Sequence, residues 1–233
     1  MGVHDEDQRP APEETRGEFL KYDAPAHALG KAAEAIDRIN ELQAQRLIRD
    51  GVYYIVLVDL VGSTKYMAEY GNQKAAVRIQ HFVASSLNAL KTADLKNTAI
   101  FIKDIGDAVL LIFQHFPDVL RWRASFAEYL DVPAHQPLEI RTCVHLGEVS
   151  LEGVNPISLA VSQCFKMEKM VQASDIVLTE PAYCVAWPTL VSAHSAFEDY
   201  DAVGLDGFEE PVPLHKVLAA DSRALTGLVG EGL

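Results

Sequence analysis

Residues 53–65 read YYIVLVDLVGSTK. Residues 52–60 are rich in β-branched and aromatic side chains, which predicts a strand buried on both faces. A single acid, Asp59, stands near the end of that apolar run, and Val-Gly-Ser-Thr follows soon after. An aspartate that ends a strand is commonly a turn or cap residue. Whether Asp59 has a functional role therefore depends on which other residues of the chain lie near it in the fold.

The composition of the chain limits the classes of function. A length of 233 residues suits one sizeable α/β or α+β domain with extensions, and 49% apolar and 23% charged residues are ordinary for a globular protein. No apolar stretch approaches the ~18 residues that cross a bilayer, and the acidic N-terminus is unlike a signal peptide, so we expect a cytoplasmic protein. A net charge of −13 argues against broad binding to nucleic acid or anionic membranes, but permits an anionic small molecule in a locally positive pocket.

The cysteine content gives no sign of a disulfide framework. Cys143, Cys164 and Cys184 have no Cys-x-x-Cys spacing and lie in apolar stretches. We therefore expect reduced, packed thiols and neither a disulfide nor a zinc site.

The pattern of apolar residues predicts one domain at 51–220 with an extension at each end. We expect disorder at 1–25, an amphipathic helix leading into the domain at 26–50, and a tail at 221–233. The predicted elements of the domain are, in order, a strand at 52–60, a helix at 64–92 capped by Ser63 or Thr64, strands at 98–103 and 107–113, a helix at 115–130, a strand at 138–146 followed by a turn at Gly147, a helix from Pro156 to about 171, a short strand at 175–179, and short strands or turns near 189–197 and 212–218. This order is the split βαβ, ferredoxin-like pattern of an α+β domain.

A second acid, Asp107, begins the strand that follows the hairpin turn. In a split βαβ fold the first strand neighbours the hairpin, so Asp59 and Asp107 are expected to converge at one edge of the sheet. Two close carboxylates repel unless a cation lies between them, and hard oxygen ligands suit Mg²⁺ or Mn²⁺. The Val61-Gly62-Ser63-Thr64 loop opens a helix whose N–H groups attract phosphate oxygens. Together these features predict two-metal phosphoryl chemistry on a nucleotide, although each alone is an ordinary turn, loop or cap.

The motifs that carry these residues resemble those of a known family, the class III nucleotidyl cyclase domain. DLVGSTK resembles its first metal motif, and FIKDIGDAVLLIF resembles its second, the Lys-x-x-Gly-Asp hairpin. LEIRTCVHLGEV, AVSQCFKMEKM and GLDGFEEPVPLHKV are similar, more loosely, to three later family segments, and the resemblance covers about residues 52–218. It implies a central, mostly antiparallel sheet flanked by helices, and a head-to-tail homodimer with active sites at the interface.

The resemblance also implies a reaction and a set of roles. A nucleoside triphosphate would be converted to a 3′,5′-cyclic nucleotide and pyrophosphate with two Mg²⁺ or Mn²⁺ ions in each site. The implied roles are metal binding by Asp59, Asp107 and the Leu60 carbonyl, phosphate binding by Val61, Gly62, Ser63, Thr64 and Arg141, base binding by Lys103 and Asn155, and catalytic support from Ser162 and Lys166. Lys103, Asn155, Ser162 and Lys166 would come from the second protomer.

The sequence departs from the family pattern at three of these positions and at Asp206. Asn155 stands where adenylate cyclases usually carry Asp or Thr, and Ser162 replaces a ribose-orienting Asn. Lys166 replaces an Arg and loses its bidentate fork, and Asp206 stands where a triphosphate-binding Lys is common. An ordinary role is open for Asn155 as a turn residue before Pro156, for Lys166 as a solvated helix lysine, and for Arg141 in a strand-surface ion pair.

These departures leave three functions open. The chain resembles the stand-alone pyrimidine cyclases of Pycsar anti-phage systems, with cUMP or cCMP as the favoured product. An adenylate cyclase that reads adenine through Lys103 is the first alternative. An inactive cyclase-like module that binds nucleotide or only dimerises is the second. The Asp59 and Asp107 pair favours an enzyme, because an idle pair would be a source of repulsion.

Overall fold

The computed structural model describes residues 51–95, 98–130, 137–152, 155–190, 196–204 and 211–218. The expectations for residues 1–25, 26–50 and 221–233 lie outside these segments, as does Asp206. The helices are α1 (Ser63–Tyr70), α2 (Asn72–Thr92), α3 (Phe116–Leu130), α4 (Leu159–Glu168) and α5 (Glu180–Ala186), with a 3₁₀ turn at Trp187–Thr189. The strands are β1 (Gly51–Leu60), β2 (Ala99–Ile105), β3 (Ala108–Phe113), β4 (Ile140–Glu152), β5 (Asn155–Ile157), β6 (Ile176–Thr179), β7 (Phe197–Val203) and β8 (Val212–Val217). None of the helices in the described segments is long and apolar enough to cross a membrane.

The apolar sequence of β1 is explained by its central place in the sheet. The strand order is β2-β3-β1-β4-β6-β8-β7, and β5 pairs with β4 outside that path. β1 is antiparallel to both β3 and β4, while β4 and β6 form the parallel pair. Every residue of β1 from Tyr53 to Leu60 is buried, as the sequence predicts. The order β2-β3-β1-β4 confirms the split βαβ arrangement and the mixed, mostly antiparallel sheet.

Helices cover both faces of the sheet. Alternation along the strands places Tyr53, Ile55 and Leu57 on one face, where they pack in a cluster with Cys164 and Met167 of α4. The other face carries an aromatic cluster in which Phe113 of β3 lies 5.9 Å, between ring centroids, from Trp122 of α3. Phe82 of α2 joins this cluster through Phe126 of α3. The period of two places Asp59 on the α4 face, two residues beyond Leu57.

The long helix predicted at 64–92 is two helices. Gly71 separates α1 from α2 and has φ +86°, a backbone conformation that favours glycine. Its N–H donates to the Met67 carbonyl at 2.9 Å and so ends α1. No proline marks the break, so the sequence pattern suggests one helix.

The turn predicted at Gly147 and the helix start predicted at Pro156 are both wrong. β4 continues through Gly147 to Glu152, and Pro156 lies in β5, where it pairs with Leu151. Helix α4 begins at Leu159, capped by Ser158, whose side chain accepts a hydrogen bond from the Ala160 N–H at 3.0 Å. Gly147 is required by packing, because a Cβ at this position would lie 2.3 Å from the Cβ of Ala160.

Three further expectations meet the structure near the C-terminal half. The sequence predicts a short strand or turn near 189–197; helix α5 and the 3₁₀ turn occupy 180–189, and β7 begins at Phe197. Cys143 and Cys164 are buried free thiols, as expected. Cys184 is also free but is exposed, and it donates to a carboxylate oxygen of Glu180 at 3.4 Å, so its predicted apolar packing is wrong.

Candidate active site at the edge of the central strand

The two aspartates lie side by side because of the register between β1 and β3. Asp59 pairs with Ala108, so Asp107 lies next to that position in the turn that joins β2 to β3. The Leu60 N–H donates to the Asp107 carbonyl at 2.9 Å and fixes the turn against the end of β1. Gly106, with φ +64°, makes this tight turn possible. The structure thus confirms that the two acids meet at one edge of the sheet, with Asp107 in the turn rather than in the strand.

The loop after β1 is held on both sides. The Val61 N–H donates to the Glu139 carbonyl at 2.9 Å, and Gly62, in the left-handed conformation at φ +75°, is the N-cap of α1. No side chain caps this helix, so the predicted cap by Ser63 or Thr64 is wrong. The Ser63 hydroxyl instead donates to the Asp107 carboxylate. The first N–H groups of a helix have no hydrogen-bond acceptor within that helix. Because α1 begins at Ser63, whose hydroxyl donates to Asp107, these N–H groups lie close to the two aspartates.

Arg141 joins two acids across the sheet. It lies directly opposite Asp59 on β4, and its Nε and Nη2 donate to Asp59 Oδ2 at 3.0 Å and 2.8 Å. The same Nη2 lies 2.5 Å from Oε1 of Glu168, which ends α4. Asp59 is 8% exposed and Glu168 is 9% exposed, so this is a nearly buried network rather than a surface ion pair.

Glu168 is the site residue that the sequence reasoning missed. It stands in AVSQCFKMEKM, a segment already associated with the site through Ser162 and Lys166. The available signal was helical spacing, because Glu168 follows Cys164 by four residues and shares its buried face. Because this face of α4 packs on β1, an acid on it lies close to Asp59 of β1 and to Arg141 of the neighbouring strand.

Burial and like charge set the protonation of the carboxyl groups. Burial raises the pKa of Asp59 above its usual value, and the nearby charge of Asp107 raises it further, while hydrogen bonds from Arg141 and its charge oppose the rise. Burial, followed by the charge of Asp59, raises the pKa of Glu168 to about 7. The carboxyl groups of Asp59 and Glu168 thus share one guanidinium, with the charge of Asp107 nearby, and the cluster favours an added cation.

The donor set fits a hard divalent cation. Leu60 follows Asp59 at the end of β1, and its N–H donates to the Asp107 carbonyl, so the backbone of Leu60 lies beside the two aspartates. Carboxylate and carbonyl oxygens suit Mg²⁺ or Mn²⁺. Within the described segments no group of three or more His, Cys, Asp and Glu side chains is arranged around a metal position. Two protein carboxylates are nevertheless typical of Mg²⁺ sites that substrate phosphates and water complete.

Two of the other predicted site residues lie apart from this edge. Ser162 and Lys166 are exposed on α4, four residues apart and hence on one helical face, which differs from the buried face of Glu168. The backbone of Lys103 lies in β2, and that of Asn155 begins β5. The structure does not describe the side chains of these last two residues. Within one chain, therefore, Ser162 and Lys166 do not join the aspartate cluster.

The sheet order and flanking helices are those of class III adenylyl and guanylyl cyclase catalytic domains, as the sequence predicts. The chain is similar to the guanylate cyclase domain of RhGC from Catenaria anguillulae, solved with GTP (14% identity, TM-score 0.59, 75% of this chain and 100% of that chain). It is also similar to the adenylyl cyclase CyaB from P. aeruginosa (15% identity, TM-score 0.57, 73% and 96%) and to the guanylyl cyclase Cya2 (17% identity, TM-score 0.55, 72% and 92%). No family profile and no curated protein match the sequence. At these identities the likeness establishes the fold.

Proposed function

We propose that this protein is a nucleotidyl cyclase that converts a nucleoside triphosphate to a 3′,5′-cyclic nucleotide and pyrophosphate. The observation that carries the proposal is the juxtaposition of Asp59, Asp107 and Arg141 at the edge of the sheet, beside the start of α1. A fold shared with adenylyl and guanylyl cyclase domains supports it, and two of those proteins were solved with GTP or ATPαS.

The chemistry needs cation and anion binding in one place, and this chain offers both. Asp59, Asp107 and the Leu60 carbonyl would hold two Mg²⁺ or Mn²⁺ ions, which supply charge neutralisation of the triphosphate and a lower pKa for the ribose 3′-hydroxyl. Residues 61–64 present the N-terminus of α1 to phosphate oxygens. Arg141, whose planar fork suits phosphate, adds positive charge at the same edge. These groups position the 3′-oxygen and the α-phosphorus for in-line attack, with pyrophosphate as the leaving group.

The second protomer is proposed to complete the site. Ser162 and Lys166 share an exposed face of α4 and point away from the aspartate cluster of their own chain. A head-to-tail homodimer would let them, with Lys103 and Asn155, serve the nucleotide held by the partner. Ser162 would bind the ribose, and Lys166 would oppose the charge that develops in the transition state.

A cyclic pyrimidine is the favoured product. Ser162, Lys166 and Asn155 all depart from the residues usual in purine cyclases, which supports a pocket rebuilt for uracil or cytosine. The product, cUMP or cCMP, would act as a second messenger in anti-phage defence in the cytoplasm. Lys103 supports the alternative of an adenylate cyclase that makes cAMP.

The test is product formation from each nucleotide. Purified protein is incubated with Mn²⁺ and ATP, GTP, CTP or UTP in separate reactions, and cyclic products are identified by mass and retention time. A cyclic pyrimidine nucleotide would support the favoured product, whereas cAMP would overturn it and leave the cyclase assignment in place. No cyclic product from any of the four, from protein that sedimentation shows to be a folded dimer, would favour the inactive module.

The metal site is tested with variants of β1 and of the β2–β3 hairpin, including a matched control in the hairpin. Asp107→Ala and Asp59→Asn should abolish pyrophosphate release. Asp104→Ala removes an exposed aspartate from the same hairpin and should retain the parent rate. Equal rates for all four proteins would contradict the assigned metal site.

A further inference from the structure

We propose that Glu168 is a positioning residue that shares Arg141 with Asp59 and so controls how readily Arg141 yields Asp59 to a divalent cation. The inference rests on the proposed function, because it takes Asp59 to be a metal ligand. Arg141 is then a built-in cation that neutralises Asp59 before the metal arrives.

The hydrogen bonds that Arg141 donates to Asp59 have a geometry that a divalent cation can replace. Both of its hydrogen bonds to Asp59 go to Oδ2, so they do not form the parallel two-oxygen pair that makes Arg–carboxylate contacts strongest. Arg141 is also divided between two acids, since its Nη2 contacts Oδ2 of Asp59 and Oε1 of Glu168 at once. A guanidinium held in this way is displaced from Asp59 more easily than one held by both carboxylate oxygens.

Glu168 keeps Arg141 at the sheet edge when Arg141 releases Asp59. Oε1 of Glu168 is buried, and it lies 2.5 Å from Nη2 of Arg141, so the two groups form an ion pair in this nearly buried network. Removing such a partner leaves an uncompensated charge in the interior, which strongly destabilises the folded protein. When a cation takes Asp59, the ion pair with Glu168 keeps the positive charge of Arg141 at the sheet edge. Without Glu168, that charge would be committed to Asp59 alone.

The test is a double-mutant cycle on Mn²⁺ affinity, measured by electron paramagnetic resonance on nucleotide-free protein. Arg141→Gln removes the competing cation and should tighten Mn²⁺ binding. Glu168→Gln should weaken it roughly tenfold in the parent, but by less than about twofold in the Arg141→Gln background, because the effect acts through Arg141. Glu148→Gln makes the same charge change at an exposed residue of β4 and should leave the affinity unchanged.

The outcomes separate this inference from the proposed function. Equal weakening by Glu168→Gln in both backgrounds would show a direct charge effect and overturn the role through Arg141. Mn²⁺ binding that is absent, or unaffected by Asp59→Asn, would overturn the metal site and the inference together. Should Glu168→Gln fail to fold, Glu168→Asp retains the charge one methylene further back, and its weakening should likewise disappear when Arg141 is replaced.

Discussion

Replacing Gly147 with alanine should destabilise the domain through a single contact between β4 and α4. The added Cβ would lie 2.3 Å from the Cβ of Ala160, whereas carbon atoms in ordinary contact are about 3.5–4.0 Å apart. The start of α4 must therefore move by about 1 Å or more, and overpacking of this kind costs about 1–3 kcal/mol. In a domain of this size each kcal/mol lowers Tm by about 2–4 °C, so Gly147→Ala should melt roughly 2–12 °C below the parent.

Thermal and urea unfolding measure this effect against two further variants. Gly204→Ala adds a Cβ with no atom within 4 Å and should change stability by less than about 0.5 kcal/mol. Ala160→Gly removes the opposing Cβ and alone should cost about 1 kcal/mol of helix stability. Combined with Gly147→Ala it should cost clearly less than the sum of the two single changes. Strictly additive costs, or a Gly147→Ala protein that melts with the parent, would refute the contact as the reason for glycine.

Three other predictions follow from buried groups. Trp122→Phe should cost about 2 kcal/mol or more in urea unfolding, because Trp122 is fully buried and its Nε1 donates to the Ser86 carbonyl at 3.0 Å; unchanged stability would contradict this. In the metal-free protein the pKa of Glu168 is raised from 4.5 to about 7, so the folded state favours the neutral carboxyl group. The resulting contribution to the free energy of unfolding is fully present below pH 4.5 and is lost as the pH rises through 7. Urea midpoints should therefore fall across that window less steeply in Glu168→Gln than in the parent, and parallel profiles would show that Glu168 is not the cause. Thiol reagents at neutral pH should spare Cys143 and Cys164 until denaturant is added, since both are buried and burial raises the pKa of Cys143; rapid labelling of either in the native protein would argue against this packing.

The parts of the site that the sequence predicts are those set by period and strand order. The apolar run of β1 and the hairpin that follows imply neighbouring strands, and this alone brings Asp59 and Asp107 together. Their convergence needs no knowledge of side-chain packing. The fold class follows from the same order of elements.

The parts that the sequence does not predict depend on contacts between distant elements. Gly147 is a turn residue by composition, yet it lies within β4 because only a residue without a side chain fits against Ala160. Pro156 suits a helix start, but Ser158 provides the cap and the proline is left in the edge strand β5. The link between Glu168 and Arg141 depends on how α4 lies across the sheet, which no local pattern specifies.

The central place of β1 has a consequence for synthesis of the chain. Asp59 and Arg141, which pair across β1 and β4, are 82 residues apart. At about 5–20 residues per second, a ribosome needs roughly 4–16 s to make that interval, and for that time β1 has no partner on its β4 side. An unpaired apolar strand is prone to aggregate, and a charge within or beside it opposes this. Asp59 is the charged residue within β1, and it is therefore placed to oppose such aggregation during the seconds before β4 is made.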